Sequence, residues 1–313
     1  MGKNVSKSSL ARANQDRDYH IFEEYAYYLV SEARQKCANH IFKLGGNVYA
    51  FDSTTIDLCL SVFWWAKFRK KKGGIKVHTL YDVETQIPAF FHITEASVHD
   101  SKVMIEIPYE PSSYYIFDRG YNNFKILYKI HQIEAYFVVR AKKNLGYKSI
   151  QWKRRLPKNV LSDASVFLTG FYPKQYYPEP LRLVKYWDEE QEREFIFITN
   201  AMHISALQVA ELYKNRWQVE LFFKWLKQHL KIKRFWGTTE NAVRIQIYAA
   251  ICAYCLVAII QHDMQLNRST YEVLQILSIS LTDKTHLRDL FDKTKFQNDK
   301  ERFGPNGPSL FNF

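Results

Sequence analysis

The sequence predicts an α/β fold in which a mixed sheet is flanked by helices and an inserted group of strands precedes the last long helices. Three observations lead to this prediction. Residues 47–140 alternate apolar, strand-like runs with segments of helical periodicity. Residues 141–200 contain three further strand-like runs that are separated by turn residues rather than by helices. From Ile204 to Ile260 the apolar residues are spaced as in long helices.

The first part of the chain is predicted to begin with helices and to continue with strands. Residues 1–45 are expected to be helical, since apolar residues between Tyr19 and Lys36 recur at helical spacing. The run "NVYAFDSTT" is expected to be a strand that ends at Asp52, and "GGIKVHTLYD" and "QIPAFFHITEA" a strand hairpin. A helix in "VHDSKVMIEI" follows, with Asp100 as its N-cap.

The later elements continue this alternation as far as residue 140. "SYYIFDRGY" is predicted to be a strand that ends at Asp118, "NNFKILYKIHQI" a helix and "AYFVVRA" a buried strand. The inserted strands are "SVFLTGFY", "LRLVKYW" and "REFIFITN". The C-terminal segment, residues 266–313, is predicted to be helical and to end in a polar, mobile tail rich in Gly and Pro.

The composition is that of a basic globular protein. Apolar residues make up 47% of the 313 residues, which excludes an intrinsically disordered chain. Lys and Arg number 44 against 32 Asp and Glu, so the formal net charge is +12. A charge of this size favours a polyanionic partner, and nucleic acid is the first candidate. A soluble protein that is merely basic is the alternative.

The sequence predicts a cytoplasmic protein without a membrane span. Its polar N-terminus carries no secretory signal. The apolar run from Ile247 to Ile260 is shorter than the roughly 20 residues that cross a bilayer, so we expect a buried core helix. Cys252 and Cys255 lie inside that run without a second pair at zinc spacing, and we interpret them as small core residues.

The most informative segment is "ELYKNRWQVELFFKWLKQHLK", which is predicted to be one largely buried helix. Tyr213, Arg216, Glu220 and Lys227 have offsets of 0, 3, 7 and 14 residues, which places all four within about 60° of one another. An internal ion pair between Arg216 and Glu220 would explain two of them without any function. A functional polar stripe would explain all four.

Two aspartates outside this helix are candidates for the same site. Asp52 and Asp118 are each predicted to end an apolar strand, where side chains point into the crevice that binds ligands in open α/β sheets. For a single Asp, a turn or helix cap is the alternative. Carboxylates that converge with Glu220 would repel one another unless cations lie between them, and Mg²⁺ prefers such oxygen ligands.

The spacing of Tyr213, Arg216, Glu220 and Lys227 matches the tyrosine–arginine–glutamate–lysine signature of insertion-sequence transposases. With "FDSTTI", "FDRGY", "GGIKVHT", "ASVHD" and "ITN" in order, residues from 40 to 260 resemble the "insertion sequence four" family of DDE transposases. The resemblance implies a ribonuclease-H-like core that carries the β insertion before the last catalytic helix. It also implies that Asp52, Asp118 and Glu220 are the catalytic, metal-binding residues.

The same resemblance implies the domain organisation and the chemistry. The expected segments are 1–45 (helical), 46–140 (first part of the core), 141–200 (β insertion), 201–265 (catalytic and core helices) and 266–313 (C-terminal helices and tail). Two Mg²⁺ or Mn²⁺ ions, with Asp52 bridging them, are expected to support DNA cleavage and strand transfer by a cut-and-paste route.

Several residues are expected to contact double-stranded DNA. Tyr213, Arg216 and Lys227 would hold phosphate near the scissile bond. Further candidates are Arg119 and the basic run of Lys67, Arg69, Lys70, Lys71 and Lys72, for which a solvated turn is the alternative. Either Trp152 or Trp187 would stack on a flipped base, unless both only pack. For His99 and Asp100 we predict no role beyond a helix cap.

The resemblance also implies a homodimer on DNA and association with the bacterial nucleoid. Family members carry a longer helical region for end recognition, whereas only residues 1–51 precede Asp52 here, so we expect either a shortened copy or end recognition that lies elsewhere in the chain. A catalytically impaired remnant that only binds DNA is the alternative function. A metal nuclease without strand transfer would keep the three acids but would not need Tyr213, Arg216 and Lys227.

Overall fold

The computed structural model describes residues 6–38, 42–59, 61–69, 72–229, 235–268, 270–280 and 286–293, and it confirms the predicted α/β fold. The described strands are β1 (Val48–Leu58), β2 (Lys67–Arg69), β3 (Lys72–Asp82), β4 (Ile87–Glu95), β5 (Tyr114–Phe117), β6 (Tyr136–Arg140), β7 (Tyr147–Trp152), β8 (Val160–Leu168), β9 (Leu181–Asp188) and β10 (Arg193–Thr199). The described helices are α1 (Lys7–Asp16), α2 (His20–Lys36), α3 (Asp100–Val103), α4 (Phe124–Gln132), α5 (Phe171–Tyr176), α6 (Ala206–Asn215), α7 (Trp217–His229), α8 (Glu240–Asp263), α9 (Thr270–Ser280) and α10 (Leu287–Lys293).

All described strands belong to one mixed sheet. Its order is β2-β3-β1-β5-β6-β10-β9-β8-β7, and β4 also pairs with β3. The β3–β4 hairpin is present as predicted, with antiparallel pairing from Ile75 to Asp82. β1, β5 and β6 are parallel, and α4 connects the last two. Parallel neighbours need such a crossover, so the helix predicted between residues 122 and 133 follows from the sheet's topology.

The inserted strands extend the central sheet rather than forming a layer of their own. β10 pairs antiparallel with β6, and β9, β8 and β7 follow in order. Residues Tyr147 to Trp152 form β7, which the sequence did not predict because this segment lacks a regular apolar alternation. The helix α5 was likewise missed, since its six residues are too few for a periodic signal.

The main core lies against the central strands and α4. Aromatic rings fill it: Phe51 of β1 packs edge-on against Phe117 at 6.1 Å and against Tyr121 at 5.3 Å between ring centroids. Leu127 and Ile130 of α4 are fully buried in the same cluster. These contacts fix the edge of the sheet from which the candidate site is built.

The predicted end of β1 and the predicted cap of α3 were wrong. β1 does not end at Asp52 but continues to Leu58, because the β-branched residues of "STTI" favour extended backbone and pair with β3. Asp100 is not the cap of α3; the ring of His99 accepts the hydrogen bond from the backbone of Ser101.

The segment predicted as one helix is two, α6 and α7, which meet at Arg216. There the backbone N–H of Arg216 donates to the carbonyl of Tyr213 at 3.1 Å, three residues back, so the turn is tighter than an α-helix. The single-helix stripe is therefore interrupted between Tyr213 and Glu220.

The chain divides into two compact units, Met1–Cys255 and Leu256–Phe313. In the second, Val257, Val273, Ile276 and Phe291 form a small core of their own. The predicted tail lies mostly outside the described residues, which end at residue 293.

The apolar helix α8 is longer than the run that predicted it. Its 24 residues are long and apolar enough to cross a membrane by length and composition, so the predicted shortness was wrong. Ile247, Ile251 and Cys255 are nevertheless buried within the protein, and Cys252 is nearly so, as expected for core residues.

Candidate active site

Asp52 lies in the middle of β1 and is surrounded by hydrogen-bond donors. Its Oδ1 accepts from the backbone N–H of Ser53 at 2.8 Å and from the Tyr121 hydroxyl at 3.3 Å. Its Oδ2 accepts from Arg216 Nη1 at 2.8 Å. Burial raises the pKa of Asp52 to about 6, although Arg216 and Ser53 work against that shift. Neighbouring Glu220 and Asp118 raise this pKa further, so the three acids influence one another.

Asp118 comes directly after β5, at the same edge of the sheet. Ala50 of β1 is paired with Ile116 of β5, so Asp52 and Asp118 each lie two residues beyond a paired position. Oδ1 of Asp118 accepts from the Tyr213 hydroxyl at 2.8 Å, and Arg140 Nη1 lies 4.0 Å away. Burial opposes ionisation of Asp118 and would raise its pKa. The backbone N–H of Arg119, the Tyr213 hydroxyl and the positive charges of Arg216 and Arg140 together outweigh burial and lower that pKa.

Glu220 reaches this edge from α7, which packs on β1 and β3. Its Oε1 accepts from Arg216 Nη2 at 2.5 Å, so the ion pair that could explain the pattern without function is present. Arg216 also binds Asp52, however, and its side chain is only 15% exposed. Burial disfavours the charged guanidinium, but Tyr213 and the three acids outweigh burial and raise the pKa of Arg216. The site thus gathers three carboxylates around one arginine.

Tyr213 and Lys227, the other residues of the signature, lie in different surroundings from each other. Tyr213 packs its ring against Phe197 with 4.7 Å between centroids, and burial, despite Arg216, raises its pKa to about 12. Its hydroxyl therefore stays protonated near neutral pH and donates to Asp118. Lys227 is partly buried on α7, seven residues beyond Glu220. That Tyr213, Arg216 and Lys227 contact DNA stays a prediction.

The other predicted DNA contacts lie on separate parts of the sheet. Arg119 belongs to the turn after Asp118. Lys67 and Arg69 lie on β2, Lys72 begins β3, and these two strands pair antiparallel. Lys70 and Lys71 lie outside the described residues. Trp152 on β7 and Trp187 on β9 are both exposed, which leaves either available for stacking.

Two site residues were not predicted from the sequence. Tyr121 binds Asp52 because a short 3₁₀ turn follows Asp118 and brings the ring back over the sheet edge. Arg140 reaches Asp118 because Phe117 is paired with Val139, which makes Arg140 the lateral neighbour of Asp118. A basic residue at the end of the next parallel strand was the available signal for Arg140.

A second polar cluster adjoins Asp52 through Ser53. The hydroxyl of Ser53 donates to Asp100 Oδ1 at 2.8 Å, and Lys76 Nζ lies 3.0 Å from the same oxygen. Burial opposes ionisation of Asp100, but Ser53, Lys76 and His78 together lower its pKa. Asp100 therefore links the start of α3 to the strand that carries Asp52.

The donor set of this edge fits divalent cations by its chemistry. Asp52, Asp118 and Glu220 offer hard carboxylate oxygens, which are the ligands that Mg²⁺ and Mn²⁺ prefer. Arg216 takes up part of their charge, and its buried Nε has no hydrogen-bond partner among the described residues. In the described part of the chain, no three acidic, His or Cys side chains lie close enough together to hold an ion as they stand.

Residues 43–256 match the transposase DDE domain family. The chain is 36% identical over 246 residues to y4zB of Sinorhizobium fredii, which is named a transposase; 76% of this chain and 67% of y4zB are aligned. It is 27% identical over 249 residues to a protein of Geobacillus stearothermophilus named for insertion sequence element IS5377, covering 80% of the chain and 66% of that protein.

A third relative extends further along the chain. A protein of a Synechocystis species, named for insertion sequence element IS4SA, is 25% identical over 296 residues, covering 90% of the chain and 80% of that protein. The chain thus spans about two thirds of the length of the first two relatives. The matched range includes Asp52, Asp118 and Glu220.

Proposed function

This chain belongs to the transposase DDE domain family, and from that premise we propose that it cleaves DNA and transfers the cut strands as the transposase of an insertion sequence. The resemblance found in the sequence is confirmed at the level of the family. The convergence of Asp52, Asp118 and Glu220 at one edge of the sheet carries the proposal. Cut-and-paste transfer by a homodimer on paired ends is part of it.

The geometry supports a phosphoryl-transfer site for three reasons. Asp52 lies on β1 and Asp118 directly follows the adjacent parallel strand β5, so a rigid sheet fixes their separation. Glu220 is added from a helix that packs on the same strands. The three acids carry more negative charge than Arg216 and the more distant Arg140 can offset. Such an excess at a partly exposed edge favours added cations.

We assign Asp52, Asp118 and Glu220 as the residues that would hold two Mg²⁺ or Mn²⁺ ions. Bound ions of this kind activate the attacking oxygen and stabilise the leaving oxygen. Within the chain, Tyr213 donates to Asp118 and orients that carboxylate. Arg216 neutralises Asp52 and Glu220 until their oxygens are needed as ligands, and its guanidinium is then free to hold a DNA phosphate.

The experiment is plasmid cleavage by the purified full chain. We expect supercoiled plasmid to be nicked and linearised with Mg²⁺ or Mn²⁺, and to stay intact without them. Asp118→Asn should abolish cleavage, since it removes a charge from the cluster without changing its size. Asp57→Asn is the matched control, because Asp57 lies on β1 but is exposed and away from the cluster.

Each outcome separates the proposal from its alternatives. Equal cleavage by the unchanged chain and by Asp118→Asn would remove the site assignment. Tight DNA binding without cleavage by the unchanged chain would favour the impaired remnant. Cleavage without joining of a pre-cut transposon end to target DNA would favour a metal nuclease.

A further inference from the structure

Two aromatic loops meet at the end of β1 that lies away from Val48. Residues 61–66 connect β1 to β2, and residues 235–239 lead into α8. Phe63 packs edge-on against Phe235 with 6.0 Å between ring centroids. Trp65 Nε1 donates to the carbonyl of Thr238 at 2.8 Å. The two loops, although far apart in sequence, therefore form one surface.

These contacts hold two tryptophans in the open. The backbone N–H of Trp236 donates to Gln246 Oε1 at 3.1 Å. A Cβ on Gly237 would meet the Cβ of Ala242 at 2.6 Å, so only glycine lets this loop approach α8 so closely. Trp64 is nevertheless 74% exposed and Trp236 58% exposed. We call Trp64 and Trp236 the tryptophan surface.

A loop that is held in place and yet exposes an indole ring forgoes the free energy that burial of the ring would contribute to folding. Burying a tryptophan removes a large apolar area from water, and neighbouring Phe63 and Trp65 show that the loop has inward-facing positions. Exposed aromatic residues on two adjoining loops instead mark an interaction site.

The positive charge of the surrounding sequence favours a polyanion as the partner of this surface. Between Asp57 and Asp82 the sequence holds six Lys and Arg and no acidic residue. Between Glu220 and Glu240 it holds five Lys and Arg and again no acidic residue. Each tryptophan thus lies in an uninterrupted cationic segment. Basic residues interleaved with exposed aromatics are typical of surfaces that bind single-stranded or unstacked nucleic acid.

The distance from the carboxylates suits DNA held at both places. β1 runs six residues from Asp52 to Leu58, which is about 20 Å, and α7 runs nine residues from Glu220 to His229, about 14 Å. Residues 61–66 follow β1 in the chain, and Phe63 among them contacts Phe235. Duplex DNA rises about 3.4 Å per base pair, so about four to six base pairs span this distance.

We propose that Trp64 and Trp236 stack on DNA bases that have left the helical stack, a few nucleotides from the position cut at Asp52, Asp118 and Glu220. The cationic character of the two sequence segments favours the phosphates of the same strand. This inference rests on the proposed function for the identity of the nucleic acid. It assigns base stacking to a surface separate from Trp152 and Trp187.

Binding is tested in the full chain with Asp118→Asn, so that no DNA is cut. Fluorescence anisotropy measures the affinity for labelled poly(dT) and for a fully paired duplex of mixed sequence. Trp64→Ala and Trp236→Ala should each weaken poly(dT) binding about tenfold, because base–aromatic stacking is lost. Trp64→Phe and Trp236→Phe should keep most of the affinity. Duplex binding should fall less than twofold, since phosphate contacts dominate there.

Tyr28→Ala is the matched control, since Tyr28 is an exposed aromatic on α2, and it should leave both affinities unchanged. Unchanged poly(dT) affinity in both alanine variants overturns the inference, and if the chain without Asp118→Asn still cuts the plasmid, the proposed function stands. A change only in molecular mass by light scattering would make the surface an interface between two copies and overturn the inference. Weakened poly(dT) binding beside an uncut plasmid would support the inference while the proposed cleavage fails.

Discussion

Two arginines of the molecule bind carboxylates in different ways. Arg182 pairs with Asp163, whereas Arg216 lies among Asp52, Asp118 and Glu220, a group that we call the Arg216 cluster. Arg182 on β9 makes a bidentate contact with Asp163 on β8, with two N–O distances of 2.8 Å. Its remaining Nη1 donates to the carbonyl oxygens of Ala201 at 3.3 Å and Ile204 at 2.5 Å. The Arg182 side chain is 2% exposed.

Arg216 instead divides its donors between acids from two elements. It binds Asp52 on β1 and Glu220 on α7, and its Nε is buried without a hydrogen-bond partner in the described structure. Asp118 adds a third carboxylate beside it. A fully satisfied pair fixes one conformation, whereas an incompletely satisfied cluster with excess negative charge can exchange partners. We therefore interpret the Arg182–Asp163 pair as a structural bond and propose that the Arg216 cluster is a site for ligands.

The largest expected difference between the two clusters concerns activity. Glu220→Gln should lower the rate of plasmid cleavage about a thousandfold or more, since loss of a metal ligand removes several kcal/mol of transition-state stabilisation. Its free energy of unfolding should change by less than about 1 kcal/mol, because Glu220 is partly exposed. Quantitative gel assays and urea unfolding check the two effects. A loss of several kcal/mol in the free energy of unfolding of Glu220→Gln would mean that the Arg216 cluster has a structural role, as the Arg182–Asp163 pair does.

For the Arg182–Asp163 pair we expect the opposite result, a loss of stability without a loss of activity. Asp163→Asn should lower the free energy of unfolding by about 3–5 kcal/mol, since it leaves a buried arginine without its counter-charge. Urea unfolding of the variant measures this loss. Under conditions where the variant is still folded, its plasmid cleavage should match the unchanged chain. A stable variant that no longer cleaves DNA would place Asp163 among the functional residues.

The pH dependence of stability sharpens the comparison through His78, a buried group on the strand opposite Asp52. Burial lowers the pKa of His78 to about 4, although Asp100 works against that shift. Below pH 6.5, the usual value, the unfolded chain takes up a proton that the folded chain does not, so stability falls as pH drops towards 4. The loss should reach about 2 kcal/mol at pH 5 and about 3 kcal/mol at pH 4.

His78→Gln isolates this effect from carboxylates that titrate in both proteins. Urea unfolding at pH 7 and pH 5 should show the larger loss in the unchanged chain. An equal loss in both proteins would mean that His78 is protonated in the folded state and that the region is less closed than the structure has it.

The smallest expected effect comes from an ion pair that belongs to neither class. Lys158 and Glu189 lie 3.1 Å apart, and both side chains are mostly exposed. Lys158→Ala should change the free energy of unfolding by less than about 0.5 kcal/mol, because water screens the pair. Urea unfolding beside Asp163→Asn gives the comparison directly. A loss as large as that of Asp163→Asn would show that burial does not explain the difference between the two arginine clusters.

The sequence predicted much of the fold, because periodicity is a local signal and each central strand or helix is long enough to show it. The family signature also led to Asp52, Asp118 and Glu220 as candidates for one site, although only Asp118 comes at the end of a strand. The sequence could not predict that β1 passes through Asp52, because whether a strand continues depends on its partner, here β3. The break at Arg216 has no Gly or Pro to announce it.

The partners of the acids were the least predictable part of the site. The Tyr121 and Arg140 contacts depend on register between β1, β5 and β6, which no local pattern encodes. The Ser53–Asp100 bond joins residues 47 positions apart. Long-range pairing of this kind follows from the assembled sheet and not from the spacing of residues along the chain.

The central claim, that the Arg216 cluster is a cation site, is tested most directly by titrating the purified full chain with Mn²⁺ in a calorimeter. The unchanged chain and Asp57→Asn should bind about two ions each, whereas Asp52→Asn and Glu220→Gln should each lose at least one. Circular dichroism would establish that all four proteins are folded. Equal Mn²⁺ binding by all four proteins, or none by any of them, would contradict the account.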